Sequence, residues 1–406
     1  MTSKQTFLIV GAGLAGAKAA DTLRGEGFDG RVVLLGEEAE RPYERPPLSK
    51  DFLRGEAEQE PYVHDAGFYA EEEIELRTST EVVAIKPGSS EVELAGGQRI
   101  AYDALLLATG AEPVRLPIPG GALDGVHYLR DLGDARALGE AFGPGARIAV
   151  IGAGWIGAET AASARQKGAD VVLIERGEVP LERVLGPDVG VIFRDLHRAH
   201  GVEFVAGACV ESFEGSSAVE AVALGDGRRV EADHVIVGVG VRPRTSLAEA
   251  AGLSIENGVL TDASLRTSVA NIYAAGDVAN AFHPFYGAHL RVEHWANALN
   301  QGPAAARAML GQDVSYDEIP YFFSDQYDLG MEYGGHSTAW DEVVYRGDVE
   351  GRECVVFWLR EGRLEAGMNV NVWDVNEPIR ELVRSRTELD AERLADPDEP
   401  LEGLLT

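Results

Sequence analysis

The chain is poor in cysteine and has no long apolar run. Only two of its 406 residues are cysteines, Cys209 and Cys354, and their separation matches no disulfide framework or metal-binding spacing. No run of about 18 apolar residues exists, so we expect no membrane-spanning helix and no membrane partner. We therefore predict that the protein has no metal site and works in a reducing cytoplasm.

Positive charge is also scarce. The chain has 36 Lys and Arg against 67 Asp and Glu, which gives a formal net charge of -31. Such a charge repels nucleic acids and anionic membranes, so proteins that bind these surfaces are excluded. The apolar content of 45% is ordinary for a globular protein, and the length suffices for two or three domains with proper cores.

Two glycine-rich turns of the same kind are the most informative feature present. The first is Gly11-Ala12-Gly13-Leu14-Ala15-Gly16, and the second is Gly152-Ala153-Gly154-Trp155-Ile156-Gly157. Each follows a short apolar run that predicts a buried parallel strand, and each precedes an Ala-rich segment that predicts a helix. In such a turn the glycines allow a tight bend, close approach to a pyrophosphate, and helix–strand packing. Two copies predict a protein that holds two dinucleotides.

An acidic residue completes each copy. Glu37 and Glu175 follow the next predicted strand, roughly 20 residues after the last glycine of each turn, where a carboxylate binds ribose hydroxyls. A carboxylate at Glu175 would repel the 2′-phosphate of NADPH, so we expect NADH. The neighbouring Arg176 could accept that phosphate and weakens the prediction.

The pattern predicts an α/β fold with two Rossmann-like dinucleotide-binding domains and a C-terminal α+β domain. We expect a discontinuous first domain over 1–114 and 241–315, a second over 115–240, and the C-terminal domain over 316–406, where aromatic and β-branched runs indicate antiparallel strands. The acidic stretch 387–406 predicts a solvated helix and tail. A helix is expected from Gly302 to Leu310.

Several further motifs carry a family resemblance. Ala-Thr-Gly at 108–110, Gly-Val-Gly at 238–240 and Ala-Gly-Asp at 275–277 accompany the two glycine turns. Sharper signals are Arg-Pro-Pro-Leu-Ser-Lys at 45–50 and Ser-Asp-Gln-Tyr-Asp at 324–328. Together they resemble the FAD-dependent pyridine nucleotide oxidoreductases, and within them the ferredoxin and rubredoxin reductases that supply cytochrome P450s and ring-hydroxylating dioxygenases.

The resemblance implies which residues bind the two cofactors. The residues implied for FAD are Gly11, Gly13, Leu14, Ala15, Gly16, Glu37, Arg45, Pro46, Lys50, Val82, Ala108, Thr109, Gly110, Arg130, Asp277, Glu293 and Trp295. The residues implied for the nicotinamide dinucleotide are Gly152, Gly154, Ile156, Gly157, Glu159, Glu175 and Gly240.

The resemblance also pairs Lys50 with Glu159 as the catalytic residues. An ammonium near the flavin would stabilise negative charge that develops on reduction, and the carboxylate would keep it charged. Without the resemblance, an exposed lysine and a helix-capping glutamate with no contact would be the simpler interpretation, because nothing in the sequence brings position 50 near position 159.

Two departures from related patterns matter. Phe323 stands where many ferredoxin reductases have Trp, which leaves the shape of the nicotinamide side open. No cysteine lies near Lys50, so a relay from flavin to a disulfide and a cysteine-based NADH peroxidase are both excluded.

The function implied is an NADH:ferredoxin reductase with FAD, whose partner is a ferredoxin or rubredoxin-type iron–sulfur protein. Two alternatives stay open at this point: an NADH oxidase or quinone reductase, and an NADH-sensing flavoprotein like the apoptosis-inducing factors. The sequence leaves monomer and homodimer equally possible.

Overall fold

The computed structural model describes residues 4–405, and these group into two compact units. The first unit contains the chain up to Glu44, then Glu60–Glu112 and Arg242–Pro320. The second contains Arg45–Gln59, Pro113–Val241 and the chain from Tyr321 onward. Both units are therefore assembled from separate pieces of chain, and the three-domain division expected from the sequence remains a prediction.

A five-stranded parallel sheet forms the centre of the first unit. In spatial order its strands are Ile272–Ala274, Ala104–Leu107, Thr6–Val10, Arg31–Leu35 and Ile74–Arg77. Apart from the edge strand Ile74–Arg77, their side chains are almost all buried, which is why these strands appear in the sequence as continuous apolar runs rather than alternating ones. Apolar clusters cover both faces of the sheet.

Smaller sheets and short helices complete the first unit. One three-stranded sheet contains Val82–Lys86, Glu91–Leu94 and Arg99–Ala101, and another contains Val259–Thr261, Ala279–His283 and Ala288–Leu290. The α-helices are Leu14–Gly25, Phe68–Glu71, Ser246–Ala250 and Trp295–Met309, and the 3-10 helices are Pro87–Ser89 and Gly276–Val278.

The helix Trp295–Met309 is longer than the sequence suggested. The prediction placed its start at Gly302, but Gly302 and Pro303 lie inside the helix. A Cβ at Gly302 would stand 2.3 Å from the carbonyl oxygen of Ala15, so this glycine lets the helix pack directly on Leu14–Gly25. The glycine therefore marks a close helix contact and not a helix end.

The second unit repeats the parallel core. In spatial order the strands of its five-stranded parallel sheet are Glu203–Val205, Asp170–Ile174, Arg147–Ile151, His234–Val237 and Val126–His127. A small antiparallel sheet of Val210–Gly215, Val219–Leu224 and Arg229–Glu231 packs against it. The strands Ala111–Pro113 and Val241–Pro243 lie where the chain passes between the units.

An antiparallel sheet belongs to the same unit. In spatial order its strands are Tyr321–Gln326, Leu329–Gly335, Arg363–Val370, Glu353–Arg360 and Glu342–Asp348. The α-helices of the unit are Asp51–Arg54, Leu132–Ala141, Trp155–Gln166, Glu182–Leu185, Pro187–Ala199, Asn376–Ser385 and Ala391–Ala395, and the 3-10 helices are Pro46–Ser49 and Leu401–Leu405. The parallel and antiparallel sheets confirm the predicted fold class.

The C-terminal stretch differs from the solvated tail that its acidity suggested. Leu394, Leu401 and Leu404 are buried, and the guanidinium of Arg346 donates to backbone carbonyl oxygens of the segment. Apolar side chains spaced among the acidic ones thus anchor it, while the final residue, Thr406, lies outside the described residues. Over 4–405, no helix has both the length and the apolar character that crossing a membrane requires.

Candidate functional site

The first glycine turn forms a tight cradle between a strand and a helix. Gly11 has φ +114°, and a Cβ there would lie 2.0 Å from the carbonyl oxygen of Ala108. A Cβ at Gly16 would lie 2.0 Å from the carbonyl oxygen of Gly11. Gly13 differs, because a Cβ there would meet no atom of the described residues within 4 Å, apart from those of its chain neighbours. Two glycines therefore serve the packing of the turn, and Gly13 faces open space.

That open space lies at the start of the helix Leu14–Gly25. Gly13 is the N-cap residue in extended conformation, and no side chain caps the helix. Uncapped N–H groups and the helix dipole together favour an anion such as a pyrophosphate. Leu14 and Ala15 are buried in the first turn of this helix.

Glu37 is held by an arginine that sequence reasoning missed. Both carboxylate oxygens of Glu37 accept hydrogen bonds from the guanidinium of Arg244, one of them at 3.0 Å. The carboxylate raises the pKa of Arg244, chiefly through this hydrogen bonding. Both side chains are about two-fifths exposed. The separation of these residues in sequence hid the contact.

The Ala108-Thr109-Gly110 turn lies beside the same arginine. The hydroxyl of Thr109 donates to the carbonyl oxygen of Arg244 at 2.9 Å, and the backbone N–H of Arg244 donates to the carbonyl of Gly110 at 3.0 Å. Gly110 has φ +69°, the left-handed conformation that glycine adopts without strain. This turn therefore fixes the backbone from which Arg244 reaches Glu37.

The remaining candidates in the first unit occupy strand and helix ends. Asp277 lies in the 3-10 helix that follows the strand Ile272–Ala274, and Trp295 begins a helix. Glu293 forms an ion pair with Arg291, and Val82 is buried at the start of its strand.

The second glycine turn, in the second unit, has the same construction. Gly152 has φ +93°, and a Cβ there would stand 2.6 Å from the carbonyl oxygen of Gly238. A Cβ at Gly157 would stand 1.9 Å from the carbonyl oxygen of Gly152, whereas a Cβ at Gly154 would meet nothing within 4 Å. Gly154 is the uncapped N-cap of Trp155–Gln166, and the side chain of Ile156 is exposed in its first turn. The chain thus contains two cradles of matching geometry.

Glu175 is oriented by the backbone around it. Its Oε2 accepts from the N–H of Ala153 at 2.5 Å, and its Oε1 accepts from the N–H groups of Arg176 and Gly177 at 2.8 and 3.1 Å. Three backbone donors fix the carboxylate at the end of its strand. Gly240, with φ +111°, follows the strand His234–Val237 of the same sheet, which pairs with Arg147–Ile151.

Lys50 and Glu159 meet inside the second unit. The ammonium of Lys50 lies 2.8 Å from Oε2 of Glu159, with side-chain exposures of 11% and 4%. The hydroxyl of Ser49 donates to the same oxygen at 2.5 Å, and the hydroxyl of Ser324 donates to Oε1 at 2.6 Å. This buried ion pair is satisfied by further hydrogen bonds, the condition under which such a pair persists. Sequence reasoning missed both serines.

Other candidates lie in the same unit. The ring centroid of Phe323 is 5.4 Å from the ammonium nitrogen of Lys50, so the residue at the Trp-to-Phe departure borders the pair. The guanidinium of Arg45 donates to the backbone carbonyl of Arg130, and Pro46 starts the 3-10 helix that leads to Lys50.

The positions of possible metal ligands and of the two thiols are given by the part of the chain that is described. Over 4–405, no cluster of three or more His, Cys, Asp or Glu side chains could hold a metal ion. Cys209 is exposed and Cys354 is buried, and both are free thiols.

Comparison with known proteins identifies the family. Residues 5–302 match the family model described as pyridine nucleotide-disulphide oxidoreductase. The chain belongs to this family. Residues 321–405 match a second model, described as reductase C-terminal. The family uses FAD and NAD(H), so the chain is an oxidoreductase and a flavoprotein.

Two relatives match along nearly the whole chain. The ferredoxin–NAD(+) reductase component of the anthranilate 1,2-dioxygenase system of Burkholderia cepacia is 39% identical, with 99% of this chain and 100% of that protein covered. Putidaredoxin reductase of Pseudomonas putida is 35% identical, with 100% and 98% covered. The reductase in a crystal structure of a covalent putidaredoxin reductase–putidaredoxin complex has a TM-score of 0.96, 35% identity and coverage of 100% and 99%.

The two cradles fit the two dinucleotides of the family. Each has an open glycine at an uncapped helix start, and each is followed by an ordered carboxylate. The family description names disulphide chemistry, but the two cysteines of this chain are Cys209 and Cys354, and neither lies near Lys50 in the sequence.

Proposed function

We propose that the chain is an NADH:ferredoxin reductase that serves an oxygenase system. The observation that carries the proposal is the presence of two dinucleotide cradles in one chain, each with an open glycine at an uncapped helix start. Relatives of nearly full coverage are named as the ferredoxin–NAD(+) reductase component of a dioxygenase system and as putidaredoxin reductase, which supports a small iron–sulfur protein as the acceptor.

The cofactor and the coenzyme have separate places in this proposal. Gly11, Gly13 and Gly16 would bind the FAD pyrophosphate, with Glu37 at the adenosine ribose. Gly152, Gly154 and Gly157 would bind the nicotinamide dinucleotide, with Gly240 beside it. When bound, FAD would supply the redox chemistry, since a flavin can take up two electrons from NADH and give them up singly to one-electron carriers.

The remaining proposed FAD residues extend the site along the chain. Two contacts are assigned to loops and strand ends: Val82 to the adenine and Asp277 to ribitol hydroxyls. The others proposed to contact the cofactor are Leu14, Ala15, Arg45, Pro46, Ala108, Thr109, Gly110, Arg130, Glu293 and Trp295, and Ile156 belongs with the coenzyme set.

The chain's own catalytic contribution is electrostatic. We assign Lys50 the task of presenting a positive charge to the reduced cofactor, and Glu159 the task of keeping that ammonium charged and oriented. Their ion pair at 2.8 Å and its burial support this assignment. Preorganised charge in a site shielded from water stabilises developing negative charge more effectively than solvent does.

A preference for NADH over NADPH follows from Glu175. Its carboxylate is already fixed by three backbone N–H groups, so it cannot turn away from a 2′-phosphate without losing them. The ratio of kcat/KM for the two coenzymes tests this, and Glu175→Ser should shift the ratio toward NADPH. A wild-type enzyme that favours NADPH would refute the assignment.

Two experiments test the proposed function. Rapid mixing of the purified yellow protein with NADH should bleach the flavin absorbance, and absence of bleaching would contradict the proposal. Acceptor specificity follows by comparing kcat/KM for a [2Fe–2S] ferredoxin with those for quinone and oxygen. A preference for quinone or oxygen would favour a quinone reductase or NADH oxidase, and slow turnover with every acceptor would favour a sensor. The cytoplasmic location and the oligomeric state stay predictions.

A further inference from the structure

The Ser-Asp-Gln-Tyr-Asp motif at 324–328 contains two polar side chains in an unexpected place. Ser324 and Gln326 alternate with exposed Asp325 on the strand Tyr321–Gln326, so both point to the same face of the sheet. Their exposures are 0% and 1%. Buried polar groups are costly unless they are hydrogen-bonded, so their presence on an inward face requires partners.

Those partners form a continuous chain that leads to Glu159. The amide nitrogen of Gln326 donates to the hydroxyl of Ser324 at 3.3 Å, and that hydroxyl donates to Oε1 of Glu159 at 2.6 Å. In the other direction, Oε1 of Gln326 lies 3.0 Å from Nε2 of His197, and Nδ1 of His197 lies 3.3 Å from the hydroxyl of Tyr327.

The donors in this chain all point the same way. An amide oxygen can only accept, so Nε2 of His197 donates, and Nδ1 is left to accept from Tyr327. Burial lowers the pKa of His197 to about 4, so the ring is neutral near pH 7, as this arrangement requires. Each bond polarises the next one toward the carboxylate, which strengthens the set.

We propose that Ser324 is a positioning residue for Glu159, and that Gln326 and His197 fix the direction of its hydroxyl. The hydroxyl of Ser324 donates to Oε1, whereas Ser49 and Lys50 both donate to Oε2. With Oε1 held, the carboxylate presents Oε2 to the Lys50 ammonium in one orientation. The kinetic part of this inference rests on the proposed function, while the positioning part does not.

Four single variants distinguish the contribution of the Ser324 hydroxyl from that of side-chain packing. Ser324→Ala removes the donor, and Ser324→Thr keeps a hydroxyl at the same place. Gln326→Met keeps volume but frees the Ser324 hydroxyl to rotate. The control is Ser385→Ala, which removes a serine hydroxyl bonded to a backbone carbonyl on an exposed helix end of the same unit.

Hydrogen–deuterium exchange of the holoenzyme gives a readout independent of turnover. Peptides that cover 46–54 should exchange faster in Ser324→Ala and Gln326→Met, because Ser49 and Lys50 lose a fixed acceptor. The limiting rate of flavin bleaching by NADH should fall about tenfold in the same variants, as for the loss of a charge-assisted hydrogen bond, while the Kd for NADH changes less than about twofold. Ser324→Thr and Ser385→Ala should resemble the parent in all three measurements.

Several outcomes would overturn the inference. It fails if exchange and bleaching in Ser324→Ala match the parent, if Ser324→Thr shows the same losses as Ser324→Ala, or if the Kd for NADH rises as much as the rate falls. Should Ser324→Ala not fold, Gln326→Met decides by the same measurements. A parent that never bleaches refutes the proposed function instead, and the exchange data then still decide the positioning of Glu159.

Discussion

The two non-equivalent glycines of the second cradle provide a sharp test of how it binds the coenzyme. We predict that Gly154→Ala loses affinity for the coenzyme but not stability, whereas Gly157→Ala loses stability. At position 154 a Cβ meets no atom within 4 Å, and the backbone angles of φ -74° and ψ -176° suit alanine. At position 157 a Cβ would stand 1.9 Å from the backbone oxygen of Gly152.

The expected magnitudes follow from those surroundings. Gly154→Ala should keep or slightly raise stability, by about 0.4–1 kcal/mol, because alanine restricts the unfolded chain. Its methyl group occupies the space proposed for the pyrophosphate, so NADH affinity should fall at least about tenfold, or about 1.4 kcal/mol. Gly157→Ala should lose about 1–3 kcal/mol of stability through overpacking, which helix propensity offsets by at most about 1 kcal/mol.

The assays are thermal unfolding and NADH titration of each purified variant. The matching cradle of the first unit is untouched, so the FAD content per chain should stay equal to that of the parent and serves as the control. The reasoning is wrong if Gly154→Ala binds NADH within twofold of the parent, or if Gly154→Ala proves the less stable of the two.

Two further predictions concern ionisable side chains outside the cradles. Arg244→Ala should weaken FAD retention several-fold by releasing Glu37, by no more than about 1 kcal/mol because the ion pair is partly exposed. The control variant Arg242→Ala should retain FAD like the parent. Equal loss of FAD from both variants during ultrafiltration would contradict this prediction. Folding lowers the pKa of His197 to about 4, so between pH 6.5 and 4 the unfolded chain binds a proton that the folded chain does not. The free energy of unfolding should therefore fall as the pH drops through this range, by about 2 kcal/mol between pH 7 and pH 5. Urea unfolding at pH 7 and pH 5 should show a smaller loss of stability in His197→Gln than in the parent. An equal loss in both proteins would refute the prediction.

The central strands of both parallel sheets could be predicted from sequence because they are buried on both faces, whereas Ile74–Arg77, Glu203–Val205 and Val126–His127 at the sheet edges were not predicted. Thr6–Val10 and Arg147–Ile151 appear as short apolar runs that end at glycine, and the structure gives the same bounds. The antiparallel C-terminal strands followed from their β-branched and aromatic residues.

The contacts within the candidate site were harder to predict from the sequence. Without the family resemblance, nothing local to Lys50 or Glu159 indicates that they meet, because the contact depends on tertiary packing. The role of Ser324 could have been suspected from the sequence. Ser324 and Gln326 share one face of a predicted strand with Phe322, and polar residues on an inward face indicate a buried hydrogen-bond network. The contact of Arg244 with Glu37 could not have been predicted, since an arginine after a proline is unremarkable in a sequence.

The order of chain segments has a consequence for synthesis on the ribosome. The first unit's sheet needs Ile272–Ala274 beside Ala104–Leu107, and between them the chain encodes the whole parallel sheet of the second unit. The nascent polypeptide must therefore hold an unfinished sheet with an apolar edge until the later strand emerges, a state that invites aggregation. Truncation before residue 272 should leave that edge permanently open, so neither half of the gene should yield a well-behaved FAD-binding fragment.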